Sequence, residues 1–444
     1  MVNRECRLTI DLLTQRINDT ENSLMQKNLV VIGGGAAGFF CAINAARLHP
    51  HLKVVLLERS SKLLSKVKIS GGGRCNVTHA CFGIAEMIRK YPRGASFLKK
   101  AFTDFFTTDT IEWFKQRGVS LKTENDGRMF PETNTSQTII DCLLTEANLY
   151  NVEVWMNADV CELQAPDKDD SDSHKFQLNF SNGKSISADY VCIASGGYPK
   201  STQFEWLTKL GHTIEKPVPS LFTFNIPGNT INQLMGVSVA EASVKIASTK
   251  LQQGGPLLIT HWGLSGPVVL KLSAWGAREL EQKNYQFTIL VNWVPQFNEN
   301  TLKDKIQQVR FDVASQKICN RNPFALPSRL WEYFLQQCGI NADIRWADLP
   351  GKEQNKLVKI LCSHELEVKG KTTFKEEFVT AGGISLAEID VSNMQSRIIP
   401  NLFFAGEVMD IDGVTGGFNF QSAWTTGWIA AKGIGSQETV QSSI

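Results

Sequence analysis

No two cysteines in this chain are spaced C-x-x-C, and the nearest pair of the ten is Cys75 and Cys81. That spacing argues against a paired-thiolate zinc site, and the length argues against a small disulfide-stapled scaffold. Reduced, mostly buried thiols in a cytoplasmic protein are the expectation, with no bound metal. Net charge is nearly absent too: 46 basic against 44 acidic residues leave +2. A chain that coats nucleic acid over its whole surface is therefore excluded, though a local basic patch is not. Internal repeats and low-complexity tracts are missing. Residues 1–27 hold eight charged side chains and no apolar run, so they read as an N-terminal extension and not as a secretory signal. One stretch, Asn28 to Ala46, lacks charge for 19 residues and has the length of a membrane span. Gly33, Gly34 and Gly35 lie inside it, however, and a strand turning into a helix accounts for them better than a bilayer does.

What is present begins with that strand. Leu29 to Ile32 reads as buried β, Ala36 to Arg47 as helix, and Lys53 to Leu57 as a second strand closed by Glu58. Such a βαβ unit implies a parallel sheet. A loop is expected over Lys62 to His79, helices over Phe97 to Arg117 and Thr135 to Tyr150, and a turn at Asn125-Asp126-Gly127. Val152 to Trp155, Phe176 to Phe180 and Ser185 to Ser187 suggest a small antiparallel section, with Asp167 to Asp172 as a hairpin loop. Asp189 to Ala194 is a further buried strand. After Tyr198 the texture changes to short β-like runs, then turns helical from Asn300 to about Ser363. Phe378 to Ala381 and Leu402 to Ala405 look like strands of the first kind again, and Trp424 to Ile434 like a closing helix.

Three glycine motifs carry chemistry. Gly33-x-Gly35-x-x-Gly38 follows a strand and opens a helix through Ala36 and Ala37. In that context the glycines permit a tight turn and close approach of a pyrophosphate to a helix N-terminus. Glu58, followed by Arg59, stands where a carboxylate accepts from a ribose diol. The second motif is Ser70-Gly71-Gly72-Gly73-Arg74-Cys75-Asn76, preceded by Lys62, Lys66 and Lys68. It is expected to wrap a cofactor, with Arg74 near phosphate and Asn76 on a ring edge. The third is Gly406-Glu407, then Asp412-Gly413, then Gly416-Gly417-Phe418-Asn419. Here an acid after a strand would hold a ribityl chain, and a helix N-terminus would face the pole of a flavin where negative charge builds. Ala194-Ser195-Gly196-Gly197 repeats the strand-then-glycine pattern. Motifs at both ends of the chain favour FAD over NAD. Only one Gly-x-Gly-x-x-Gly follows a strand, so NAD(P)H would act as a transient reductant.

Together, GGGAAG, SGGGRCNVTH, DGRMFP, HWGLSGP, TAGGISL and FAGEVMDIDGVTGGFNFQSAW resemble the BaiN/YhiN-like family of bacterial flavoproteins, which has an aminoacetone oxidase branch. The resemblance runs in order from residue 28 to about 435. It implies an α/β fold: a Rossmann-like FAD-binding domain, an inserted β-barrel and a nested helical domain, with FAD held non-covalently. The implied limits are 28–198 and 374–444 for the FAD domain, 199–296 for the barrel, 297–363 for the helical insert and 364–373 for a returning barrel strand. The family includes proteins assigned to NAD(P)H-linked reduction of C=C bonds and some linked to dihydrouridine in ribosomal RNA. This chain departs from the family pattern at Gly72, where Asn is usual, at His79, where Asn is common, and at Phe418, where Tyr is common.

Reducing an activated double bond takes hydride from the flavin and a proton donor on the other carbon. Cys75 and His261 are the candidate catalytic groups, with His79 and Tyr198 considered beside them as proton donors, and Arg128 and Tyr198 are the candidate substrate contacts. Residues 199–373 hold 20 basic and 14 acidic side chains, a net of +6, which fits an RNA-facing module. The leading expectation is an FAD-dependent reductase of a conjugated C=C, with a small molecule or uridine in ribosomal RNA as substrate. A small-molecule amine or amino-ketone oxidase using O2 and a non-catalytic flavin-containing RNA-binding factor are the alternatives.

Overall fold

The computed structural model describes residues 26–166, 175–372 and 379–435. The Asp167 to Asp172 loop, nearly all of the N-terminal extension and Phe378 lie outside them.

Uninterrupted apolar runs make the central strands. β1 (Asn28–Ile32), β2 (Lys53–Glu58), β3 (Glu153–Met156), β4 (Tyr190–Ile193) and β5 (Leu402–Phe404) form one parallel sheet in the order β5-β4-β1-β2-β3. Val30, Val31, Val191, Cys192 and Phe404 have no solvent exposure, as strands covered on both faces require. The charge-free stretch is thus β1 followed by α1 (Ala36–Leu48). Strand order reverses across β1, because β2 and β4 pair with its opposite edges in register Leu29↔Val54 and Leu29↔Tyr190. In open α/β sheets such a reversal leaves a crevice beyond the carboxyl ends of the strands. The glycine turn after β1 and the Ala194 turn after β4 both emerge there.

Several elements differ from the sequence reading. The stretch Lys62 to His79, expected as a loop, carries a helix from Ser65 that breaks at Ser70. Val152 to Trp155 is expected in the antiparallel section, yet β3 is the edge of the parallel sheet, paired Leu56↔Val154 with β2. The antiparallel section is Val160–Gln164, Phe176–Phe180 and Ser185–Ala188. The edge place explains the misreading, since β3 is mostly exposed and lacks the apolar run of its neighbours. The helix expected over Phe97 to Arg117 is two, Ala95–Ala101 and Thr107–Lys115. Asp109 accepts from the Phe106 backbone N–H (2.7 Å), so a new helix is capped where the first one stops.

α2 (Phe418–Gly433) covers the sheet beside α1. A Cβ on Gly427 would lie 2.8 Å from the Ala37 carbonyl oxygen, so the two backbones meet at a glycine. Phe40, Trp113 and Trp424 fill the adjoining core with ring centroids 4.6 and 5.3 Å from Phe40.

Contacts divide the chain into two compact units. Among the described residues, the first holds 26–166, 175–217, Gly382–Ile411 and 416–435, and the second holds 218–372, 379–381 and Asp412–Thr415. The chain stays in the first unit beyond the expected limit at 198, leaves it along Ile214–Ser220 and returns along Val379–Ile384. The second unit is built on a seven-stranded sheet whose end strands are His364–Lys369 and Lys371–Thr372. Those two ends are one piece of chain joined at Gly370. The Gly370 N–H donates to the Tyr285 carbonyl (2.8 Å), and its carbonyl accepts from the Asn225 N–H (3.1 Å). The sheet thereby curls onto itself, which leaves few open edges. The helices Glu299–Asp312, Ser328–Cys338 and Gly351–Cys362 share one apolar core with it, from Phe224 and Val244 to Leu330, Phe334 and Leu357.

Candidate dinucleotide site and its arginine cluster

The turn between β1 and α1 shows why each glycine stands where it does. Gly33 has φ +119, and a Cβ there would run into the Ala194 carbonyl. A Cβ on Gly38 would collide with the Gly33 carbonyl oxygen. Gly35 is different: its φ is −96, and a Cβ there would meet nothing within 4 Å. Two glycines are demanded by packing, and the third faces open space at the N-terminus of α1. No acidic side chain stands in the first turn of that helix. Unpaired N–H groups with an open approach suit a phosphate. The residues present therefore fit a dinucleotide pyrophosphate.

Glu58 supports the turn directly. Its Oε2 accepts from the Gly34 N–H (3.0 Å), and its Oε1 accepts from the backbone and hydroxyl of Ser60 (both 2.8 Å). A carboxylate has further lone-pair sites, so accepting from a ribose diol remains compatible with these bonds. Arg59 next to it is exposed. Tyr198 is half-buried against Phe204, with centroids 4.9 Å apart. Burial pushes its phenol up, against smaller pulls from Ser195 and the charge of Arg59.

The second glycine motif begins as a short helix and breaks inside it. Ser70 turns extended, and Gly71, Gly72 and Gly73 follow at φ +59, +69 and +82. Three successive left-handed residues favour glycine strongly. Gly71 lies on the Phe130 ring, 2.7 Å from where its Cβ would be, while Gly72 and Gly73 face open space. Lys66 reaches across to the third motif, with Nζ 2.7 Å from Glu407 Oε2. Both residues were expected at the cofactor, and the fold brings them together.

Asn76 joins the second and third motifs. With its amide oriented to satisfy both ends, it donates to the Thr78 carbonyl and accepts from the Gly417 N–H, each at 2.9 Å. His79 is anchored beside it: Nδ1 donates to the Gly416 carbonyl (3.0 Å) in the neutral tautomer, and the ring stacks on Phe418 with centroids 4.6 Å apart. Burial holds His79 below the usual histidine range, so the ring stays neutral and clamps the turn. Two positions at which this chain departs from the family pattern, His79 and Phe418, are thus one stacked pair. Tyr91 donates its hydroxyl to the Phe418 carbonyl (2.7 Å), and Thr78 donates to Gln421 (2.6 Å). Neither partner was singled out from sequence, because nothing in a lone Tyr or Gln signals it.

Of the remaining expected residues, Gly406 packs against Ala37 and takes φ +75. Gly196 also has positive φ with open space at its Cβ, and Gly197 and Asn419 are half-buried beside their turns. Asp412 is fully buried and accepts from the Ser220 hydroxyl (2.8 Å), so that part of its carboxylate is spent on holding its own loop. Cys75 has no solvent exposure, and burial pushes its thiol up to about 12. A thiol so enclosed behaves as core. His261 lies exposed on the turn between Gln252–Ile259 and Gly263–Ser265, in edge contact with Trp262.

Arg74 and Arg128 meet at residues the sequence reading missed. Arg74 Nη1 donates to Glu124 Oε1, and Arg128 Nη2 donates to Glu124 Oε2 (3.2 Å). Both guanidiniums lie over Phe130, at 4.0 and 5.4 Å from the ring centroid. Arg128 Nε also donates to Asp126 (2.7 Å). The available signal was the Asn125-Asp126-Gly127 turn, since a hairpin there sets Glu124 opposite Arg128.

A family model described as the HI0933-like protein Rossmann domain matches residues 27–433. A ribosomal RNA dihydrouridine synthase of Escherichia coli (strain K12) is 29% identical over 411 residues, covering 91% of this chain and 96% of that protein. A protein of the same name from Haemophilus influenzae is 26% identical, covering 92% and 98%. A 3-dehydro-bile acid delta(4,6)-reductase of Clostridium scindens is 24% identical, covering 90% and 97%. With its glycine turns gathered in one compact unit and a family match over nearly its whole length, the chain belongs to the HI0933-like Rossmann-domain family, flavin-dependent oxidoreductases of the BaiN/YhiN type.

Proposed function

We propose that this protein is an FAD-dependent reductase of a carbon–carbon double bond conjugated to a carbonyl, with NAD(P)H as electron donor and uridine in ribosomal RNA as substrate. The observation that carries the cofactor is Gly35, open at the start of α1 between two glycines that packing demands. The chemistry follows from what the relatives' names share. Dihydrouridine is uridine with one ring double bond reduced, and a delta(4,6)-reductase likewise removes unsaturation from a steroid ring system.

In this reading Gly33, Gly35, Ala36, Ala37 and Gly38 hold the pyrophosphate, and Glu58 and Arg59 stand at the ribose. Gly72, Gly73, Arg74, Ala194, Gly196 and Gly197 line the crevice. Gly406, Glu407, Gly416, Gly417, Phe418 and Asn419 stand at the flavin, with Lys66 offsetting the charge of Glu407. When bound, FAD supplies hydride to the substrate. Asn76 and His79 fix the Gly416–Gly417 turn, His79 keeping its proton on Nδ1 against the Gly416 carbonyl. Cys75 fills space beneath the loop. His261, which is open to solvent, is the candidate proton donor, and Tyr198 and Arg128 are the candidate substrate contacts. A ribosomal RNA substrate goes with a cytoplasmic location. Among the described residues no helix is long and apolar enough to cross a membrane.

Stopped-flow mixing of the oxidised holoprotein with NADH, NADPH and amino ketones tests the donor. Rapid bleaching of the flavin by a nicotinamide, with little by the amines, is expected. Bleaching by an amino ketone with O2 consumption, and none by either nicotinamide, would establish an oxidase instead.

A further inference from the structure

We infer that Arg74 and Arg128 together form a subsite for the phosphate that flanks the reacting uridine. The inference rests on the reading above for the base and on this structure for the anion. Arg74 follows the glycine loop, and Arg128 begins the strand Arg128–Pro131, so two separate elements deliver guanidiniums to one place. Phe130 lies beneath both, and Glu124 accepts from both. Cation–π contact and the shared carboxylate fix the planes of two long side chains that would otherwise be mobile.

The network is incomplete in a specific way. Arg74 Nη2 and Arg128 Nη1 make no hydrogen bond among the described residues. About a third of each side chain remains open to solvent, 32% and 37%. Those N–H groups belong to two forks delivered by separate elements. Glu124 already gives one oxygen to each fork, and a tetrahedral oxyanion can likewise offer separate oxygens to the N–H groups left over. The neighbouring loop supports the same ligand. Gly71 rests on Phe130, and Gly72 and Gly73 leave open space alongside. Residues 59–85 contain five basic side chains and no acidic one; of these Lys66 is paired with Glu407 and Arg74 with Glu124. Against this, Glu124 and Asp126 compete with an incoming anion, and that competition supplies the sharpest test.

Titration of the full-length FAD-loaded protein, followed by calorimetry, compares uridine, uridine 5′-monophosphate, the dinucleotide UpU and inorganic phosphate. The monophosphate is expected to bind about tenfold tighter than uridine, equivalent to about 1.4 kcal/mol. A gain for UpU equal to or above that of the monophosphate assigns the subsite to an internal phosphodiester, and a gain for the monophosphate alone assigns it to a free nucleotide. Arg128→Gln and Arg74→Gln should each shrink the preference to about threefold or less, since a bond to a charged group is lost. Glu124→Gln, which removes the competing charge and keeps the shape, should raise it. A network that is merely structural predicts the opposite for Glu124→Gln: lower thermal stability and no change in the preference. Equal binding of uridine and its monophosphate by the unaltered protein overturns the inference. So does loss of FAD in the arginine variants with the preference intact, which would place the pair on the cofactor. Both readouts are independent of turnover, so the subsite can fail while the reductase reading stands, and the reverse.

Discussion

Gly33, Gly35 and Gly38 share a residue type and a motif but not a reason. The first and third are held by backbone contact with Ala194 and with each other, and the second by what approaches from outside. Two substitutions separate these roles. Gly38→Ala should destabilise the cofactor-free protein by about 2 kcal/mol or more, because the added methyl overpacks against a carbonyl that cannot retreat. Gly35→Ala should leave the apo melting temperature nearly unchanged and weaken FAD binding by roughly tenfold or more. Thermal unfolding without FAD, paired with flavin titration, checks both. Equal apo stabilities for the two variants would contradict the assignment. The motif made these glycines legible, but not which was which, since that depends on β4 returning Ala194 beside them. Cys75 was legible only as one thiol within a loop. Its enclosure depends on a turn of three left-handed glycines, which no single-residue preference foretells. Arg128 was picked out from the sequence, whereas Glu124 and Phe130 gain their meaning only from the hairpin that gathers them.

At the scale of elements, long apolar runs were readable and edges were not. β1, β2 and β4 are buried on both sides and announce themselves, while β3 is exposed and was placed in the wrong sheet. The strand His364–Lys369 carries a feature visible only in three dimensions. Trp293 donates its indole N–H to His364 Nδ1 (3.3 Å), and burial pushes His364 down to about 4. The folded strand therefore holds a neutral imidazole, whereas the unfolded chain protonates near pH 6.5. Between those values the unfolded state binds more protons, so stability is full above about pH 6.5 and falls as the pH drops toward about 4. The loss from this one group is on the order of 3 kcal/mol. Denaturant unfolding at pH 7.5 and pH 5 should show a marked decrease in the unaltered protein and a smaller one in His364→Asn. An identical pH dependence in both proteins would refute the assignment.

The whole molecule reconciles a small net charge with a specialised architecture. One unit is assembled from both ends of the chain, and the other is a curled sheet sharing a common core with helices that include Pro267–Trp275, Ala277–Gln282 and the three between Glu299 and Cys362. The change of texture after Tyr198 suggests an insertion, and the division between the two compact units falls within Ile214–Ser220 and Val379–Ile384, where strand character runs throughout and only tertiary contacts set a boundary. The sharing of one core between the strands of the seven-stranded sheet and the helices is hidden from the sequence, since periodicity reports local structure and not which apolar faces meet. Four glycine clusters, scattered across the sequence, gather into turns of a single unit. Together they are proposed to hold FAD for the reduction of uridine. The most direct test is to reduce the FAD-loaded protein with NAD(P)H under anaerobic conditions, add unmodified ribosomal RNA and digest it for mass spectrometry. A uridine heavier by two hydrogens is expected, formed only when protein, FAD and reductant are all present. Unchanged uridine after full reduction of the flavin would contradict that proposal.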